Sequence, residues 1–163
     1  MGVGKTIVGK LLAEKTGLTY VDLDEEIVNR KGKTIPLIFS EEGEVAFRSI
    51  ENEVTNNVAN NVGQIIACGG GTVLKSENRE TLQASSSMVL LTADPEIILQ
   101  RVEAEGETRP LLMVDDKVGK IRSLLAERNP KYVEAADLIV DTSNLTPEEV
   151  AEQILKNLEW GLV

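Results

Sequence analysis

The chain has 163 residues and a net charge of −10; the length predicts a single domain over residues 1–163, and the charge argues against an extended nucleic-acid partner. It has no histidine and one cysteine, which excludes a His-ligated metal, a Ser-His-Asp triad and an internal disulfide. No apolar run is long enough to span a membrane and no secretory leader is recognisable, so we expect a cytoplasmic protein without a membrane partner.

The first residues, M-G-V-G-K-T, match the second half of the phosphate-loop pattern G-x-x-x-x-G-K-[ST]. In that interpretation backbone N–H groups converge on phosphate oxygens, Lys5 reaches the β- and γ-phosphates, and the Thr6 hydroxyl binds Mg²⁺. The alternative is a glycine-rich turn before an ordinary helix. The leading glycine would precede Met1, so we expect a chain truncated inside the loop, lacking a central first strand and roughly ten residues. The predicted nucleotide-binding residues here are Gly2, Val3, Gly4, Lys5, Thr6 and Ile7.

Hydrophobic periodicity and capping signals predict alternating strands and helices. The predicted strands are apolar, as buried parallel strands are, and lie at residues 18–22, 64–68, 88–92 and 138–141. The predicted helices lie at residues 7–15, 25–31, 36–39, 45–61, 76–84 (with Ser76 as its cap), 95–103, 116–128 and 147–158. A surface turn is predicted at 41–44. This alternation indicates parallel β/α units with sites at the carboxyl ends of the strands.

Two of those strand ends carry distinctive residues. Asp22 and Asp24 end the first strand, where we expect their carboxylates to point the same way. Gly69, Gly70 and Gly71 follow the second strand; three consecutive glycines predict either a tight turn with positive φ or the close approach of a ligand to the backbone.

Three arginines are further candidates for binding an anion. Arg109 lies in a polar loop at about residues 103–116 that resembles a lid. Arg48 lies near the start of an amphipathic helix, and periodicity alone favours its interpretation as a solvated charge. Arg128 lies near a predicted helix end, where it could simply bind the last carbonyl groups.

The ordered set of motifs resembles the shikimate kinase family, small P-loop kinases of aromatic amino-acid biosynthesis. The motifs are M-G-V-G-K-T, D-L-D at 22–24, F-R at 47–48, G-G-G at 69–71, R-P-L-L at 109–112, R-N-P-K-Y at 128–132 and V-D-T at 140–142. The resemblance implies a three-layer α/β fold like that of nucleoside monophosphate kinases. Its mostly parallel sheet has five strands, of which the first is absent from this chain. It also implies a substrate-binding region at about 25–61 and a lid at about 103–116.

By this resemblance the reaction transfers the γ-phosphoryl group of ATP to the 3-hydroxyl of shikimate. The implied catalytic residues are Lys5, Asp24 and Arg109. Thr6 and Asp22 are implied to hold Mg²⁺, Arg109 to contact ATP as well, and Asp24, Arg48, Gly69, Gly70, Gly71 and Arg128 to bind shikimate. The implied partners are ATP and shikimate alone, with the protein a monomer.

Two other interpretations remain open at this point. One is a different small P-loop kinase, acting on gluconate or a nucleoside monophosphate. The other is a nucleotide-binding relative without catalytic activity, which is less favoured because the implied catalytic residues are all present in the sequence.

Overall fold

A computed structural model describes residues 2–104 and 112–158 of the chain. Within these ranges strands and helices alternate. Their order is α1 (Lys5–Thr16), β1 (Thr19–Asp22), α2 (Leu23–Lys31), α3 (Ile35–Ala59), β2 (Gln64–Ala67), a short 3₁₀ turn (Thr72–Leu74), α4 (Ser76–Ser85), β3 (Val89–Thr92), α5 (Pro95–Ala104), α6 (Lys117–Ala135), β4 (Leu138–Asp141) and α7 (Pro147–Asn157). None of the described helices is both long and apolar enough to cross a bilayer.

The four strands form two parallel pairs. β1 pairs with β2, with Thr19 opposite Gln64, and β3 pairs with β4, with Val89 opposite Leu138. The predicted strands and their parallel direction are therefore confirmed. The expectation that they are buried is wrong for most positions: Ala67 and Val140 are the buried strand residues in the part of the chain described. Within the described residues each strand is hydrogen-bonded to one neighbouring strand, so its second edge has no strand partner there.

The structure divides into two compact units, one comprising Met1–Val8 and Met88–Val163, the other Gly9–Ser87. Each unit has its own apolar core. The core of the first contains Val3, Ile98, Val102, Leu112 and Ile121; that of the second contains Leu23, Ile27, Ile38, Phe47, Val54 and Val58. The assignment of residues 1–163 to a single domain stays a prediction.

Several helices end where local signals predict. Gly17 follows α1 and Gly32 follows α2, both with the positive φ that glycine adopts without strain, 73° and 63°. At the start of α7 the Thr146 hydroxyl accepts a hydrogen bond from the N–H of Glu149, whose carboxylate accepts one from the N–H of Thr146. This reciprocal capping box, followed by Pro147, confirms the predicted final helix.

Helix α2 begins two residues earlier than predicted. Asp22 is its N-cap: the Oδ1 atom accepts hydrogen bonds from the N–H groups of Asp24, at 2.9 Å, and Glu25, at 3.4 Å. Asp24 therefore lies in the first turn of the helix. The expectation of two carboxylates projecting together from a strand end is wrong, because the chain turns into a helix at Asp22.

Three other positions test the predicted boundaries. The predicted turn at 41–44 is present as a kink: Gly43, with φ 81° and ψ 173°, is non-helical and separates two helical stretches within α3. Ser76 is the first residue of α4 and does not cap it, because the preceding Lys75 holds the extended position. Helix α6 continues through Pro130 to Ala135. Arg128 thus lies inside α6, and the interpretation that it binds the last carbonyls of a helix is wrong.

Candidate active site

The glycine-rich start of the chain has the backbone conformation of a tight loop that leads into a helix. Gly2 and Gly4 have φ values of 62° and 89°, in the region that favours glycine. A Cβ atom at Gly2 would lie 2.9 Å from the carbonyl oxygen of Ile98, so no other residue fits there. Helix α1 begins at Lys5, and its first turn contains no acidic residue. The free N–H groups of that turn and the helix dipole are therefore available to an anion.

The carboxylate of Asp22 is engaged by its neighbours. Besides capping α2 through Oδ1, it accepts a hydrogen bond through Oδ2 from the Tyr20 hydroxyl, at 3.2 Å. These contacts fix its orientation, and its oxygens retain lone pairs for a water-mediated metal contact. Its predicted role at a metal stays a prediction, as does that of Thr6, which is exposed at the start of α1. No cluster of three or more acidic, histidine or cysteine ligands is found in residues 2–104 and 112–158.

Two of the three consecutive glycines have a charged side chain packed closely against them. Gly69 and Gly71 are not among the described glycines with positive φ, so the explanation by a positive-φ turn is wrong for both positions. A Cβ atom at Gly69 would lie 2.7 Å from Oδ1 of Asp24, and one at Gly71 would lie 2.6 Å from Nη1 of Arg48. Gly70 is exposed between them. The turn therefore has a carboxylate against one end and a guanidinium against the other.

Arg48 is held in place by an ion pair with a buried carboxylate. Its Nη1 donates to Oε2 of Glu51 at 2.8 Å; the Glu51 side chain is 2% exposed and that of Arg48 is 26% exposed. Burial, the largest influence, lowers the pKa of Arg48, but the hydrogen bond and charge of Glu51, with a smaller effect of Glu44, outweigh it and raise the pKa. Arg48 is thus a fixed, permanently charged group, and the interpretation of a solvated surface charge is wrong.

Glu51 was not predicted as part of the site, although its spacing of three residues from Arg48 on a helix is a usable signal. Its second oxygen, Oε1, accepts a hydrogen bond from the buried Thr72 hydroxyl at 3.1 Å. Asn78, fully buried, donates to the Thr72 carbonyl at 3.1 Å and accepts from Asn52 at 2.8 Å. This chain of hydrogen bonds connects the Arg48 guanidinium to the residue that follows the glycines.

The other two predicted arginines are Arg128 and Arg109. Arg128 lies on α6, and its Nε atom is buried without a hydrogen-bond partner among the described residues. A buried N–H without an acceptor is costly, and a bound anion would satisfy it. Arg109 lies outside the described residues, as does half of the predicted lid at about 103–116, residues 105–111.

Comparison with known proteins identifies the family. The family model described as "Shikimate kinase" matches residues 1–159. The chain belongs to the shikimate kinase family. It is 45% identical to the shikimate kinase of Thermodesulfovibrio yellowstonii, over 98% of this chain and 91% of the relative. It is 41% identical to that of Symbiobacterium thermophilum, over 98% of this chain and 92% of the relative.

Solved structures of the family are also similar to this one. The shikimate kinase from Acinetobacter baumannii in complex with shikimate has a TM-score of 0.88 and 40% identity, covering 96% of this chain and 87% of that one. The shikimate kinase from Aquifex aeolicus has a TM-score of 0.80 and 33% identity, covering 98% and 91%. These matches confirm the P-loop kinase fold and the ATP-dependent shikimate kinase family predicted from the motifs, and favour them over the gluconate and nucleoside monophosphate alternatives.

Proposed function

We propose that this chain transfers the γ-phosphoryl group of ATP to the 3-hydroxyl of shikimate, giving shikimate 3-phosphate and ADP. The observation that carries the proposal is the Gly69–Gly71 turn, with Asp24 against one end and the Glu51-anchored Arg48 against the other. Shikimate combines a carboxylate with ring hydroxyls, and this turn offers one group suited to each.

Arg48 is proposed to bind the shikimate carboxylate. A guanidinium has five N–H donors in a planar fork that matches a carboxylate, and the bonds to Glu51 and Glu44 leave several of them for a ligand. Arg128 is proposed to bind the same carboxylate, which would satisfy its unpaired Nε. The turn of Gly69, Gly70 and Gly71 would add backbone contacts to the substrate.

Asp24 is proposed to accept the proton of the acceptor hydroxyl. As that proton leaves, the hydroxyl oxygen forms a bond to the γ-phosphorus, and the bond from the γ-phosphorus to the bridging oxygen breaks to release ADP. The backbone of Gly2, Val3, Gly4 and Ile7, with the Lys5 ammonium, would bind the phosphates at the start of α1. Arg109 is proposed to neutralise charge on the transferring group.

Magnesium fits the oxygen donors that this chain offers. The Thr6 hydroxyl and, through water, the Asp22 carboxylate would hold Mg²⁺, an ion that usually keeps several waters and phosphate oxygens as ligands. When bound, the ion neutralises charge on the β- and γ-phosphates.

The proposed function is tested by coupled measurement of ADP release with ATP and shikimate, gluconate or a nucleoside monophosphate as the acceptor. We expect release to depend on shikimate alone, with shikimate 3-phosphate identified by ³¹P and proton NMR. Lys5→Met is the control for nucleotide hydrolysis by a contaminant. Release at the same rate without an acceptor, or with gluconate in its place, would overturn the proposal.

The two outer glycines should separate binding from chemistry. Gly71→Ala places a methyl group against Arg48, so the guanidinium must move and the KM for shikimate should rise about 10-fold or more, with a smaller change in kcat. Gly69→Ala displaces the Asp24 carboxylate, so kcat should fall about 10- to 100-fold. Steady-state kinetics of the two variants check this, and identical effects of both on kcat and KM would contradict the separate roles.

Arg128→Lys keeps the charge and removes the planar fork. We expect the KM for shikimate to rise roughly 10-fold while that for ATP changes little, because an ammonium cannot replace a bidentate guanidinium. Arg122→Lys, an exposed arginine on the same helix, is the matched control. Equal rises in both Michaelis constants for Arg128→Lys would indicate a different role.

A further inference from the structure

A carbonyl group of the phosphate loop is hydrogen-bonded to Thr142, a residue far along the chain. Thr142, 2% exposed, directly follows β4. Its Oγ1 lies 3.2 Å from the carbonyl oxygen of Val3 and 3.0 Å from that of Thr92, and its N–H donates to the Thr92 carbonyl at 2.8 Å. Thr142 therefore links the loop to the end of β3.

Arg101 on α5 completes this arrangement. Its Nη1 donates to Oγ1 of Thr142 at 2.9 Å and its Nη2 to the Thr142 carbonyl at 2.6 Å. Nη1 also lies 3.4 Å from the carbonyl oxygen of Gly2. Because the Thr142 hydroxyl accepts from Arg101, its single hydrogen is directed away from the guanidinium, to the side where the carbonyl oxygens of Val3 and Thr92 lie and share it.

Because of the geometry of the peptide bond, these contacts with carbonyl groups also determine where the neighbouring N–H groups point. In a trans peptide the C=O of one residue and the N–H of the next point in opposite directions, and this chain has no cis peptide among its described residues. A donor on the Val3 carbonyl therefore sets the direction of the Gly4 N–H. A donor on the Gly2 carbonyl does the same for the Val3 N–H. Both N–H groups belong to the proposed phosphate cradle.

We infer that Thr142 and Arg101 are positioning residues for the nucleotide: they hold the carbonyls of Val3 and Gly2 so that the N–H groups on the opposite side of each peptide face the phosphates. This inference rests on the proposed function only in taking the loop as the ATP site. It assigns Arg101 a geometric role, because two of its N–H groups are committed to Thr142.

The test compares two substitutions of Thr142 by titration calorimetry with Mg-ADP in the absence of shikimate. Thr142→Val keeps the shape and removes the hydroxyl, so the Kd for ADP should rise about 5- to 50-fold. Thr142→Ser keeps the hydroxyl and should stay within about threefold of wild type. In steady-state kinetics Thr142→Val should raise the KM for ATP by a similar factor and leave the KM for shikimate nearly unchanged.

Arg101→Lys provides a second test at a less buried position. It keeps the positive charge near the loop but cannot bridge both oxygens of Thr142, so the Kd for ADP should rise roughly 3- to 30-fold. Tight ADP binding by Arg101→Lys and Thr142→Val, or parallel rises in both Michaelis constants, would overturn the inference. A wild-type chain that binds ADP but does not phosphorylate shikimate would instead overturn the proposed function, and the comparison of Thr142 variants would still decide the inference.

Discussion

Asp24→Asn is expected to lower kcat by about 10²- to 10⁴-fold, the range for loss of a general base, with little change in ADP affinity. Asparagine has nearly the same shape, so it still fits against Gly69, but it cannot accept the proton of the shikimate hydroxyl. The backbone N–H of residue 24 donates the capping hydrogen bond to the Asp22 carboxylate, and this bond is retained in the variant. The loss should therefore be in chemistry rather than in folding.

Glu25→Gln is the matched control for this experiment. Glu25 is the next residue in the same helical turn, also carries a carboxylate, and is exposed. Its substitution should leave kcat within roughly twofold of wild type. Near-normal turnover in Asp24→Asn, or an equal loss in both variants, would show that Asp24 is not the base. Thermal melting of both proteins and ADP titration exclude a folding or nucleotide effect.

The fold was predictable where short-range chemistry determines it. Gly17, Gly32 and the Thr146 capping box end or begin helices by interactions within one turn, and the helices that they bound lie within about two residues of the predicted ranges. The end of α6 was not, because the residues before Pro130 continue in a helix despite a local signal against it. The burial of the strands was overestimated because apolar composition indicates a strand but does not say how many neighbouring strands and helices cover it.

Site residues could be predicted from the sequence where a motif contains the functional side chain itself. Asp24 and Arg48 were identified from motifs, and the structure places both against the same glycine turn. Glu51 was missed because a buried carboxylate on a helix looks like any other acidic residue until its burial is known. The contacts of Arg101 and Thr142 with the loop were missed for a stronger reason: they reach Gly2 and Val3 across 99 and 139 residues of chain, and no local pattern reports such a contact.

Arg48→Ala is expected to weaken shikimate binding and destabilise the fold together. Loss of a charge-assisted contact should raise the KM for shikimate about 10- to 100-fold. The substitution also leaves Glu51 buried without its cation, which typically costs about 3–5 kcal/mol of unfolding free energy. Because Arg48 is itself partly exposed, we expect a smaller cost than that, about 2–4 kcal/mol. Urea denaturation and steady-state kinetics measure the two effects separately.

Removing the Glu51 charge in the same protein separates these effects. Arg48→Ala with Glu51→Gln has no unpaired carboxylate, and the glutamine oxygen can still accept the Thr72 hydrogen bond. The double variant should therefore be more stable than Arg48→Ala alone, by about 1–3 kcal/mol. Its KM for shikimate should stay as high as in Arg48→Ala, since the fork that binds the carboxylate is absent from both. If the double variant instead regained normal shikimate binding, Arg48 would be acting only through the Glu51 charge. If it were no more stable than Arg48→Ala, the buried carboxylate would not be the cause of the instability.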